Sequence, residues 1–356
     1  ESFQTAIDLD NNYADAYVGL AQAQLRKFLL YKDAKSLGNM ESTVQNLMRI
    51  NSEHHLLNYL YGELMLHKGQ YQAAAVLFNK SIKMRPDFIK AYTSLSLAYQ
   101  QLRKLEEAEQ ILLIAYELMP NNSAVLIELG IFNYSNGNYS KAIDFFKLLA
   151  TQAPNNFTTY LNISACHYLN GDFEQAILAA KKSLAIQPNA DVYSNLGTSY
   201  FMLRDYNKAI EAYKNMIALN NSNYIFWGNL ADAYRFADND KYKVTFERAI
   251  VLAEKSVGLN PNNKYAISLV AYYYANINNI EKTHFYAQQI NENDAGVEHF
   301  FIAAAYTRLN IKSAAFKHIT YAIKNNYSIA EISTSPLFDN LKNEPEYRQL
   351  ITKIIE

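Results

Sequence analysis

Glycine and proline are scarce in this chain, 18 of 356 residues or about 5%, where average usage is roughly 12%. So few turn formers leave little room for a sheet-rich fold and point to a mostly helical one. Cysteine is nearly absent. The lone Cys166 excludes an internal disulfide and a four-cysteine zinc site. Neither sign of charge predominates: 33 Lys and Arg stand against 34 Asp and Glu, a net charge of -1, which supplies no field to draw in nucleic acid or an anionic membrane. Long apolar runs are missing too. A stretch such as Ile111 to Tyr116 falls far short of the ~20 residues that span a bilayer, so this segment holds no transmembrane helix. The first residue is Glu1 rather than Met and no basic-then-apolar leader follows it, so the chain reads as a piece of something longer. What is abundant is core material, 50% hydrophobic and 13% aromatic residues against 19% charged, which marks a folded, soluble protein.

The few prolines are themselves periodic. Pro86, Pro120, Pro154 and Pro188 follow one another at intervals of 34 residues, each closing a stretch that reads as helix. Between them Gly69, Gly137 and Gly171 each stand two residues before an aromatic (Tyr71, Tyr139, Phe173) and five before an alanine (Ala74, Ala142, Ala176), which marks a tight turn between two helices. Before the turn, Tyr193, Leu196, Gly197 and Tyr200 line one helical face, with glycine admitting a close neighbour; after it, Tyr206, Ala209, Tyr213 and Met216 line another.

These residues resemble the tetratricopeptide repeat family, whose unit is a helical hairpin of 34 residues. The resemblance implies an all-α fold, a right-handed superhelical solenoid of stacked antiparallel helix pairs. Counted along the chain, eight units fall at about 55–88, 89–122, 123–156, 157–189, 190–223, 224–263, 264–295 and 296–327. Residues 1–54 read as truncated and degenerate N-terminal repeats, with Phe3 and Ala6 in core places and a segment Lys27 to Asn39 longer than the pattern allows. Residues 328–356 read as a capping segment ending in a helix from Glu344 to Glu356 that covers the last stacking face. The sixth unit opens with Trp227, Leu230, Ala231 and Tyr234, then runs about six residues long, with Ala237 to Asp240 as the expected loop. Such an insertion is either a functional loop or neutral variation.

Catalytic signatures are missing. The chain has no nucleophile elbow, dinucleotide fingerprint or phosphate-binding loop, and the seven histidines include no pair at i, i+4 around a carboxylate. Cys166-His167 is adjacent rather than spaced as a metal pair, and Asp238 and Asp240 lack the third ligand and glycine of a calcium loop. We therefore expect no enzyme, no cofactor and no metal. The 29 tyrosines are explained as core filling between hairpins rather than as a stacking surface for nucleic acid.

In this family the first helices line an extended concave surface. Asn162, Asn195 and Asn229 recur on that stripe, each two residues after Tyr160, Tyr193 or Trp227. A row of carboxamides can pair with the backbone of an extended peptide whatever its side chains. It looks like the asparagine ladder of the O-linked N-acetylglucosamine transferases, shortened to three units because Glu128 and Leu269 interrupt it. The alternative is that asparagine is common here and these three satisfy neighbouring helices. Ile131, Leu169, Met202 and Phe236, with Tyr134, Tyr168 and Phe201 at the edge, would floor the groove, or else pack helix on helix. Asp232 and Arg235 are the candidate charged contacts. The lysines with which some family members clamp a chaperone's C-terminal carboxylate are absent, since Leu161, Ser194 and Gly228 stand in their places.

The leading reading is a non-enzymatic scaffold that holds a protein or extended peptide. The second is a regulatory arm of a larger bacterial signalling protein, such as a winged-helix regulator, kinase or cyclase, which the long sixth unit and the ending Pro336 to Tyr347 resemble. The third is self-association through the N-terminal face at Phe3 and Ile7 into a homo-oligomer. The cytoplasm is the favoured compartment, with the periplasm open if a membrane helix precedes Glu1.

Overall fold

The structure, a computed structural model, describes residues 2–352, and every regular element among them is helical. The chain forms two compact units, Glu1–Gln152 and Ala153–Glu356. The first holds α1 (Ser2–Leu9), α2 (Ala14–Tyr31), α3 (Ala34–Ile50), α4 (Leu57–His67), α5 (Tyr71–Met84), α6 (Ile89–Gln101), α7 (Leu105–Leu118), α8 (Ser123–Ser135) and α9 (Tyr139–Gln152). The second holds α10 (Phe157–Leu169), α11 (Phe173–Ile186), α12 (Ala190–Met202), α13 (Tyr206–Leu219), α14 (Tyr224–Phe236), α15 (Tyr242–Leu259), α16 (Lys264–Asn276), α17 (Ile280–Ala287), α18 (Gly296–Arg308) and α19 (Lys312–Lys324). There follow α20 (Ile329–Thr334), a 3-10 helix (Pro336–Leu341) and α21 (Pro345–Thr352). Within each unit, successive helices pack as pairs and pair stacks on pair.

One backbone device makes every pair from α4–α5 to α18–α19. Two residues past the first helix the chain turns left-handed, at Gly69, Gly137 and Gly171 with φ of 76°, 77° and 83°. The following N–H then bonds the carbonyl five residues back, as Gln70 does to Met65 at 2.9 Å and Asp172 to His167 at 2.8 Å, the closure of a Schellman motif. No atom lies within 4 Å of a Cβ added at these three glycines, so conformation rather than space selects them. Arg103, Arg204, Asp238, Asn278 and Asn310 hold the same left-handed place in the other pairs. At the other end, Asn122, Asn156, Asn189, Asn223 and Asn263 cap α8, α10, α12, α14 and α16 by accepting backbone N–H bonds.

Glycines inside first helices have the opposite task. A Cβ at Gly197 would stand 2.4 Å from the Tyr213 ring sixteen residues on, and Gly62 and Gly130 meet Phe78 and Phe146 in the same way. In the elongated pair α14–α15, Gly228 instead receives Tyr273 from the next pair.

Several expectations need correction. The long segment Lys27 to Asn39 is taken up mostly by helix: α2 continues to Tyr31, Lys32 closes it at φ 53°, and Asp33 caps α3. With no proline or turn-forming glycine there, helix is the cheaper solution. Most of the six extra residues of the sixth pair are also helical, since α15 has 18 residues against the 14 of α13, and the turn Ala237 to Lys241 grows by only two. At the N-terminus Ile7, not Phe3, is the buried residue of α1, while Phe3 lies against Gly19 and stays 44% exposed.

The C-terminal segment makes contacts in two directions. Tyr347 of α21 is buried and donates to the Ile332 carbonyl at 2.9 Å, and Lys312 of α19 pairs with Glu344 at 2.8 Å. The segment from α20 through the 3-10 helix runs back over the first helices. Glu331 meets the Tyr168 hydroxyl of α10 at 3.5 Å, Leu337 packs into the cluster of Phe201 and Phe236, and Asp339 takes both terminal nitrogens of Arg204 at 2.6 and 2.9 Å. The end of the helix expected from Glu344 to Glu356, residues 353–356, lies outside the described residues.

Candidate functional site

Helix-pair stacking in the second unit turns one stripe of α10, α12, α14, α16 and α18 onto a shared face, and the expected site residues lie along it. Asn162, Asn195 and Asn229 are half-buried on successive first helices. Their side-chain amides make no hydrogen bond to any described residue. The nearby capping asparagines do, as Asn189 shows by accepting from Asp191 and Val192 at 2.8 and 3.3 Å. The chain thus has two sets of repeating asparagines, one engaged at helix starts and one with open donors and acceptors.

Toward the C-terminal ends of the same helices the face is aromatic. Phe201 meets Phe236 edge-on with centroids 5.2 Å apart, and Tyr206 stacks on Phe236 at 5.3 Å. The Arg235 guanidinium lies over the Phe236 ring at 4.1 Å and reaches Asp232 at 3.3 Å. Asp232 also accepts the Tyr272 hydroxyl at 2.5 Å. Burial raises the Asp232 carboxyl above its usual range, an effect that the Arg235 charge opposes. Asp232 and Arg235, the candidate charged contacts, are therefore joined to each other and to α16. Phe201 is likewise buried rather than at an edge.

Where the C-terminal segment crosses this face it walls one side of a half-open cavity of about 250 Å³. Tyr168, Phe201, Met202, Asn229 and Asp232 line it from the expected set, together with Tyr213 and Tyr265. Val297, Phe300 and Phe301 contribute from α18, and Tyr327, Glu331, Ser335 and Leu337 from the returning segment. Asn162 and Asn195 lie outside it. Burial raises the Glu331 carboxyl, opposed by hydrogen bonds from Tyr327 and Tyr168. The contribution from Glu331, Ser335 and Leu337 had no periodic trace to betray it, since they lie beyond the last repeat.

Cys166 is fully buried and its thiol is pushed up to about 12 by desolvation, which makes it a packed residue. Among the described residues no group of three His, Cys, Asp or Glu side chains could hold a metal ion, and no helix is long and apolar enough to cross a membrane.

Two family models, both described as tetratricopeptide repeat, match the chain over residues 93–157 and 190–223. No curated protein sequence matches significantly. Among solved structures, a tetratricopeptide repeat protein from Parabacteroides merdae is similar with a TM-score of 0.51 at 15% identity, over 71% of this chain and 98% of that one. The APC/C hetero-tetramer Cut9–Hcn1 is similar with a TM-score of 0.50 at 15% identity, over 81% of this chain and 52% of that one. At such identities the likeness is one of fold.

Proposed function

We propose that this chain, a tetratricopeptide repeat protein, is a non-catalytic interaction scaffold that holds an extended peptide along the first-helix face of its second unit. A fold of this kind generally serves as a protein-binding scaffold, which leaves the mode of binding to be argued from the residues. The observation that carries it is the row Asn162, Asn195 and Asn229, half-buried amides without an intramolecular partner. Each offers a donor and an acceptor to a main chain, so together they grip a strand without reading its side chains. Side-chain selectivity then falls to the apolar and aromatic positions beside the row, Met202, Phe236, Tyr168 and Phe201, and to the joined pair Asp232 and Arg235.

The test is selection of peptides from a displayed random library, followed by calorimetry on those enriched. The variant Asn162→Ala, Asn195→Ala, Asn229→Ala, with unchanged circular dichroism, is expected to bind every enriched peptide on the order of a hundredfold weaker, at roughly 1 kcal/mol for each of the three lost amide pairs. Equal binding by variant and wild type would remove the amides from the site.

A further inference from the structure

We infer that the cavity beside Asn229 binds an organic ammonium ion, which rests on the proposed function only for its source, a basic side chain of the bound peptide as against a free alkylamine. The argument begins with the walls. Tyr168, Phe201, Tyr265, Phe300, Phe301 and Tyr327 present rings to a space of about 250 Å³, and the charged groups lining it are two carboxylates, Asp232 and Glu331. No basic residue lines it. Ring faces are the negative ends of aromatic quadrupoles, and they attract a cation most strongly where water is excluded. A neutral apolar guest would leave both carboxylates desolvated, and an anion would meet repulsion from each.

The two acids are not equivalent. Asp232 already has the Arg235 guanidinium and the Tyr272 hydroxyl. Glu331 receives tyrosine hydroxyls, Tyr168 at 3.5 Å among them, but pairs with no cationic side chain among the described residues. A half-buried carboxylate lined by rings and lacking a counter-charge is complementary to an alkylated ammonium, whose diffuse charge tolerates desolvation better than a metal ion does. Asn229, the last amide of the row, also lines this pocket, so a lysine or arginine side chain of a peptide held along the row would have it within reach.

The experiment titrates the full chain with tetramethylammonium and n-butylammonium, with n-pentanol as the neutral counterpart. Binding is read by calorimetry and by the shift of the Met202 methyl resonance. Saturable binding of the ammonium ions, at least about tenfold weaker for n-pentanol and for Glu331→Gln, supports the inference. The methyl shift keeps the wild-type result decisive if Glu331→Gln loses its fold. Absence of saturable ammonium binding, or equal binding of the alcohol, overturns it. The variant Asn162→Ala, Asn195→Ala replaces no residue that lines the cavity and should keep full ammonium affinity, so failure of the peptide row is read separately. Enrichment of Lys or Arg at one position of the selected peptides assigns the peptide as the source, whereas ammonium binding without enrichment assigns a free amine.

Discussion

At Arg204 two local effects oppose each other. Its φ of 63° places a residue with a Cβ where glycine is favoured, while its guanidinium holds Asp339 through two bonds. Arg103 sits at φ 61° in the matching turn and has no ion-pair partner among the described residues. Arg103→Gly should therefore stabilise the protein by about 0.5–1 kcal/mol, the strain relieved less the entropy added to the unfolded chain. Arg204→Gly should come out near zero, because an exposed ion pair of about the same size is lost. Urea denaturation of both variants checks the difference, and equal gains would mean the Arg204 pair contributes nothing. His318 supplies a pH-linked case. Its Nδ1 lies 2.9 Å from that of His299, with Lys317, Tyr306 and Tyr321 alongside. Burial first, then the His299 and Lys317 charges, lowers its pKa from 6.5 to about 4. The unfolded chain takes up a proton that the folded one refuses, so stability is full above 6.5 and drains as pH falls toward 4, by about 2–3 kcal/mol. Melting temperatures at about pH 7 and pH 5 should separate more for the wild type than for His318→Gln.

Among elements, the helix pairs were legible in the sequence because their determinants are local. A 34-residue proline interval, a glycine at three of the turns and an aromatic opposite a small residue all act within one hairpin. The lengths of α2, α3 and α15 were not legible, since a repeat pattern specifies where a helix must pack and not how far it continues. The asparagines were half legible. Periodicity picks out Asn195, but only coordinates separate it from Asn189 in the same helix region, where the side chain closes the helix start. That separation is measurable: Asn189→Ala should cost about 1 kcal/mol of stability in denaturant unfolding, and Asn195→Ala close to nothing. Comparable losses at both would make Asn195 a structural residue. Least legible was the cavity, because Glu331 meets Tyr168 across 163 residues of sequence, a pairing no local pattern records.

For the molecule as a whole, each unit is a stack in which a pair touches mainly the pairs beside it, so stability is approximately a sum over neighbours. The return of the C-terminal segment changes this in the second unit. Its links to Tyr168 and Arg204 close loops of 163 and 135 residues, contacts whose closure entropy must be met before they contribute anything. They convert a linear array, able to fray from either end, into a circuit whose pairs α10 through α19 gain or lose those contacts together. Such a unit melts as one body and folds late in its final step. Arg204→Ala with Glu331→Ala should therefore lower the denaturant dependence of unfolding more than it lowers the midpoint, as pairs begin to melt independently. A change of midpoint alone would mean that the circuit was never energetically closed.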